Sequence, residues 1–210
     1  MKDSKTSRIG EVLSGLIDLI FAGLLWLICS LPIITIGASS TALYYAVAKC
    51  VRHNRGRLAP TFFHGFRSNF RQATVIWLLF LLWLLIGTAD AYAFRQMGYG
   101  QGTLLHNISF LFFLPPLFFF PWVFSYLSRF ENTVKGTLKF SAWLMLRHIG
   151  KSILLAAELA LFLLICFLLP QVMPLLPAAV CLIMSLVIEP VFRTFQKDDS
   201  SSDADAWYNE

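Results

Sequence analysis

The chain has 210 residues, of which 57% are hydrophobic and 14% charged, and a formal net charge of +5. Soluble domains carry roughly 25% charged residues, so this balance excludes an ordinary soluble enzyme or binding domain and points to an integral membrane protein. The positive charge does not indicate nucleic acid, because the basic residues sit in short loops between apolar runs, where they face lipid headgroups and set orientation.

The first apolar run, residues 12–31, follows Lys2, Lys5 and Arg8. At about 20 residues it exceeds the apolar core of a cleaved signal peptide, about 7–15, and reads as an uncleaved anchor. Pro32 then removes a backbone donor and disfavours helix at Leu31, which predicts a turn. The return segment, residues 33–49, is short and carries Thr35, Gly37, Ser39, Ser40 and Thr41. It either crosses or re-enters the membrane, since irregular backbone at that depth is tolerated only inside protein or beside a water-filled cavity.

A basic connection, residues 49–73, follows, with Phe62, Phe66 and Phe70 spaced as one helical stripe beside Arg67 and Arg71. Apolar runs at 74–94 and 104–128 flank an outer turn, 95–103. A second basic connection, 129–151, carries the stripe Leu138, Ala142, Met145 and Ile149 beside Lys139 and Arg147. Runs at 152–169 and 173–192 flank a turn at 170–174. A slide of 76 residues superposes the two connections and pairs Arg71 with Arg147, a repeat of architecture.

Basic residues in short loops favour the cytoplasmic side. With six spans, Lys49, Arg52, Arg129 and most other Lys and Arg lie inside and only Arg95 outside; with five, the N-terminal charges oppose the loop 49–71. The fold class expected is therefore all-α: a polytopic helical membrane protein of about six transmembrane helices, five if residues 12–48 cross once or are partly re-entrant. It comprises three hairpins, two basic amphipathic interfacial helices and cytoplasmic termini. Residues 1–196 form a single membrane domain, and 197–210, KDDSSSDADAWYNE from Lys197, an acidic, disordered cytoplasmic tail.

Intramembrane acidic residues are the strongest pointers to function, because a charge at a helix centre costs about 2.5–3.5 kcal/mol. Asp18 and Glu158 each lie about two turns into a run, and with Thr35, Gly37, Ser39, Ser40 and Thr41 they form a candidate intramembrane polar site. Close packing and hydroxyl bonding back to the helix are the competing account of the bend. Asp90 and Glu189 fall near span ends, where solvation is easier, and read as structural. Arg67, Arg71, Lys139 and Arg147 are candidate contacts to anionic lipid headgroups.

Cys29, Cys50, Cys166 and Cys181 are scattered singly, and the four histidines make no i,i+4 pair, so no metal site or disulfide is expected. No phosphate loop, nucleophile elbow or dinucleotide fingerprint occurs. The expectation is a protein that is not an enzyme, with no catalytic, cofactor-binding or metal residues.

Three segments carry a resemblance: WLICSLPIITIGASSTALYY from Trp26, FHGFRSNFRQA from Phe63 and, more loosely, YLSRFENTVK from Tyr126. Together they resemble the YesL-like family of bacterial integral membrane proteins, a family of unknown function. The resemblance implies a multi-pass protein of the bacterial cytoplasmic membrane. Members are often encoded near carbohydrate-uptake transporters and polysaccharide-degrading enzymes, which implies an accessory or regulatory role in carbohydrate uptake, with a sugar ABC transporter or other membrane complex as partner. It supplies no site residues. Two alternatives stand beside that role: a small secondary transporter or channel using Asp18 and Glu158, and an anionic-lipid-binding membrane organiser.

Overall fold

The structure, a computed structural model, describes residues 3–53, 55–96 and 111–196. The expected tail 197–210, most of the outer turn 95–103, the first part of the run 104–128, and Lys2 and His106 lie outside the described residues. Among those described there are seven α-helices and no strand: α1 Asp3–Cys29, α2 Ile36–Ala46, α3 Leu58–Gln96, α4 Leu114–Leu127, α5 Val134–Arg147, α6 Ile149–Leu168 and α7 Leu176–Gln196. Among the described residues, three stretches are long and apolar enough to cross a membrane: Leu58–Ala93, Ile149–Leu168 and Leu176–Thr194. Ser14–Cys29 and Leu114–Leu127 are shorter apolar helices.

The chain bends at Ser30 to Pro32 and passes through a 3-10 turn, Ile33–Thr35, into α2. Thr35 Oγ1 ties the bend together by donating to the carbonyls of Cys29 (2.6 Å) and Pro32 (2.7 Å). Across it, Trp26 Nε1 donates to Ser40 Oγ at 3.1 Å and the Ser30 and Ser39 hydroxyls meet at 2.6 Å. Further down, Leu19 and Ala22 of α1 share a core with Ala42, Leu43, Ala46 and Val47. α1 and α2 are therefore an antiparallel hairpin.

α2 is the most enclosed helix, with Ala38, Ser39, Thr41, Ala42 and Ala46 fully buried. Small side chains let its neighbours approach closely. Gly37 is the tightest example: a Cβ there would lie 2.6 Å from Trp77 Cβ and 2.7 Å from the Ala73 carbonyl oxygen. A π-helical turn, Val47–Arg52, continues α2 to the basic end of the bundle.

The first connection departs from expectation. Its amphipathic segment is not a separate interfacial helix but the N-terminal part of α3, an uninterrupted helix of 39 residues. No proline or glycine lies between Phe66 and Trp77 to break it, and Ala73 and Ile76, fully buried, hold the junction against the core. Two of the three stripe phenylalanines accordingly pack on protein: Phe62 is fully buried with α1 and α2 and Phe66 bridges to the cluster around α4, while Phe70 is 40% exposed.

α4 runs antiparallel to α3. Trp77 meets Phe120, Phe80 meets Phe119, Phe120 and Phe124, and Trp83 stacks on Phe112 with centroids 4.4 Å apart. Pro115 and Pro116 occupy its first turn, where a missing N–H costs nothing.

α5 is a separate helix, capped where Thr133 Oγ1 accepts from the Gly136 amide at 3.2 Å and ended by the non-helical His148 (φ −115°, ψ 50°). Its buried face is Thr137, Ser141 and Leu144. The expected stripe is displaced from that face: Leu138, Ala142 and Met145 line a groove, and Ile149 is exposed at the start of α6. Trp122 of α4 donates to Ser152 Oγ of α6 at 2.9 Å, and that hydroxyl donates to the Met145 carbonyl, joining three helices.

Candidate functional site

The hairpins bring the C-terminal ends of α2, α4 and α7 together, and with them charge that the sequence places far apart. Glu189 of α7 receives both a Nε donation from Arg129 at 3.0 Å to Oε1 and a Nη2 donation to Oε2, while Tyr44 Oη donates to Oε1 at 3.2 Å. The two charged side chains are each 2% exposed. A bidentate arginine fork supplies the matching charge and hydrogen bonds that a buried carboxylate requires. Beside it, Arg52 donates to the Ser185 carbonyl, one residue before the carbonyl that Pro190, lacking N–H, leaves unbonded in the α7 ladder. The reason given for reading Glu189 as structural, easy solvation at a span end, is corrected here: it is buried and paired.

Arg129 also borders a polar cleft of about 710 Å³. One wall is the N-terminal part of α3, with His64, Ser68, Asn69 and Gln72; the non-helical link 128–133, with Glu131 and Asn132, and Tyr45 of α2 complete the lining. His64, Ser68 and Gln72 recur every four residues, which places them on one side of α3. Lys49 stands over the Tyr45 ring at 5.5 Å, and Asn132 Nδ2 donates to Tyr126 Oη at 3.2 Å. The cleft thus presents amide, hydroxyl, imidazole and carboxylate groups together with aromatic faces, a surface suited to hydrogen-bonding a polar segment. All three segments that carried the resemblance contribute to it.

The other sequence-derived positions do not meet there. Asp18 is half-buried on α1, one residue before the buried Leu19. Glu158 is half-buried on α6 within electrostatic reach of Cys181 on α7, and its Oε1 has no hydrogen-bond partner among the described residues. No hydrogen bond or ion pair joins Asp18 to Glu158 among the described residues. At the bend, Ser39 donates to the Thr35 carbonyl at 2.9 Å, Thr41 to the Gly37 carbonyl at 3.0 Å, and Ser40 accepts from Trp26. Arg67, Arg71, Lys139 and Arg147 are all exposed, the last at 4.9 Å over the Trp143 ring.

Two histidines at the basic end, outside the apolar spans, are held toward the neutral form. His148 stacks near Trp122, and burial first, then Lys151 and Arg147, pushes its pKa below the ordinary value. His53 is lowered likewise by burial and then by Arg52. Among the described residues no group of three or more His, Cys, Asp or Glu is arranged to hold a metal ion.

The cleft and the ion pair were missed in the sequence. The signal for the cleft was present as the face of the first amphipathic segment opposite Phe62, where His64, Ser68 and Gln72 recur at helical spacing. The Arg129–Glu189 pair spans 60 positions and left no local signature.

No curated protein and no solved structure matches the chain. Residues 19–91, from the middle of α1 through most of α3 and including the α3 and Tyr45 portions of the cleft, match the model of a family described as "Protein of unknown function, DUF624".

Proposed function

We propose that the protein is a YesL-like, multi-pass protein of the bacterial cytoplasmic membrane, with six crossings and cytoplasmic termini. Its role is accessory or regulatory: it is associated with carbohydrate uptake and engages a partner membrane complex through the polar cleft. The observation that carries this reading is the convergence of Tyr45, the His64-to-Gln72 face and the 128–133 link at the basic end of the bundle. That end also gathers Lys49, Arg52, Arg129 and Arg147, which the positive-inside rule assigns to the cytoplasm. Support for crossings beyond the three long apolar helices comes from the α1–α2 hairpin and from α4, whose upstream run begins at 104.

The test is affinity purification of the tagged full chain from native membranes in lipid nanodiscs, against an unrelated membrane protein of equal abundance. Reproducible enrichment of a transport-complex subunit is expected. Enrichment of nothing above the control removes the accessory role.

A second reading, a small secondary transporter or channel, is favoured by one observation, the unpartnered Glu158 oxygen among the described residues. It requires that Glu158→Gln or Asp18→Asn change flux in proteoliposomes. Unaltered flux in both folded variants dismisses it.

A further inference from the structure

We propose that the apolar groove between α3, α4 and α5 is a binding site for one anionic phospholipid, with an acyl chain in the groove and the phosphate at Lys135 and Lys139. The groove has a volume of about 290 Å³ and is lined by Ile76, Phe80 and Trp83 of α3, Pro116 of α4, and Leu138 and Ala142 of α5, among others, with no charged group. It is distinct from the polar cleft, and no side chain of the chain's described residues fills it.

Three features identify the occupant. The first is the direction of the groove. Leu138 and Val134 pack on the cluster that holds Ile76, and the α3 side of the groove runs from Ile76 to Trp83, which stacks on Phe112. Ile76 to Trp83 is about 10 Å of helix at 1.5 Å per residue, so the groove descends from headgroup level toward the bilayer interior, as an acyl chain does.

The second is charge. Lys135 and Lys139 precede Leu138 and Ala142 by three residues each, which puts them on the adjoining row of the same helix. Both are exposed. Lysine stems lie along apolar surface while their ammonium groups reach the interface, and basic sites beside transmembrane helices on the cytoplasmic side bind anionic headgroups. The third is Trp143, exposed beside Arg147 on the same helix, an aromatic of the kind found at headgroup depth. The proposal rests on the membrane-embedded reading above and adds a specific lipid to it.

The test uses the full chain purified in detergent, titrated with phosphatidylglycerol or phosphatidylcholine, and retained lipid counted by native mass spectrometry. Wild type is expected to retain one phosphatidylglycerol under conditions that strip phosphatidylcholine. Lys135→Gln and Lys139→Gln, exposed positions that leave the packing alone, should each weaken phosphatidylglycerol retention about five-fold, the effect of one interfacial lysine, with no change for phosphatidylcholine. Ala142→Phe, which fills the groove, should abolish phosphatidylglycerol retention, and Ala142→Leu provides a milder filling variant should the larger one misfold. Equal retention of the two lipids by wild type, or unchanged retention in a folded groove-filling variant, overturns the proposal while leaving membrane embedding intact. A lipid-free dimer that Ala142→Phe converts to monomer also overturns it, with a second copy as the occupant. Extraction of the native chain from membranes by carbonate would overturn the membrane reading itself.

Discussion

Removing one partner of the Arg129–Glu189 pair should cost far more than removing both. In Arg129→Met the Glu189 carboxylate, 2% exposed, keeps only the Tyr44 hydroxyl at 3.2 Å and loses both guanidinium bonds. Breaking a buried pair in this way costs about 3–5 kcal/mol, whereas replacing both members with apolar residues is often neutral or favourable by about 1–4 kcal/mol. Since whole-protein stabilities are about 5–15 kcal/mol, the single variant should lose a large share of its stability and the double variant Arg129→Met with Glu189→Met should recover most of it. Reversible unfolding in mixed micelles of rising SDS fraction, followed by far-ultraviolet circular dichroism, measures both. A single variant within about 1 kcal/mol of wild type, or a double variant no better than the single, would refute the claim that these groups pair out of contact with water.

Three further outcomes follow from named geometry. Gly37→Leu should destabilise by about 1–3 kcal/mol or more, the cost of overpacking, because the first added atom already meets Trp77 Cβ and the Ala73 carbonyl; the same unfolding assay detects it, and tolerance would contradict the close approach of α2 and α3. His148 is lowered in the fold, so the folded chain binds fewer protons below its ordinary pKa of about 6.5. Its contribution is full above that pH and is lost as pH falls below it; His148→Gln should flatten stability against pH in that window, and an identical slope in the variant would remove the assignment. A single cysteine at Lys139 or Arg71 in a Cys-free background should resist an impermeant thiol reagent in intact cells and react after permeabilisation; labelling in intact cells would reverse the orientation.

The helical class, the bend and the positions of the apolar runs were legible in the sequence because they are local. Pro32 and the hydroxyls around Gly37 announce a turn, and that turn is where α1 and α2 reverse. The end of the first amphipathic segment was not legible: nothing in residues 66–77 stops a helix, and whether one lies in the interface or continues into a span depends on what Ala73 packs against. The stripe on α5 was read one face off because Thr137 and Ser141 look solvent-seeking, yet both are fully buried. Hydroxyls can take such places, and sequence periodicity weighs them as polar. The reason for reading Glu189 as structural failed on a related point: distance from a span end predicts access to water only if no cation arrives from elsewhere in the chain, and Arg129 does.

The central claim is that the polar cleft receives a partner protein, and site-specific photo-crosslinking in native membranes tests it most directly. A photoreactive residue replacing Asn69, in the cleft wall, should yield an adduct with one subunit of a membrane complex. The same residue replacing Phe167, 84% exposed on α6, should yield lipid adducts and no such subunit. Absence of any protein adduct from Asn69, or the same adducts from both positions, would contradict the account.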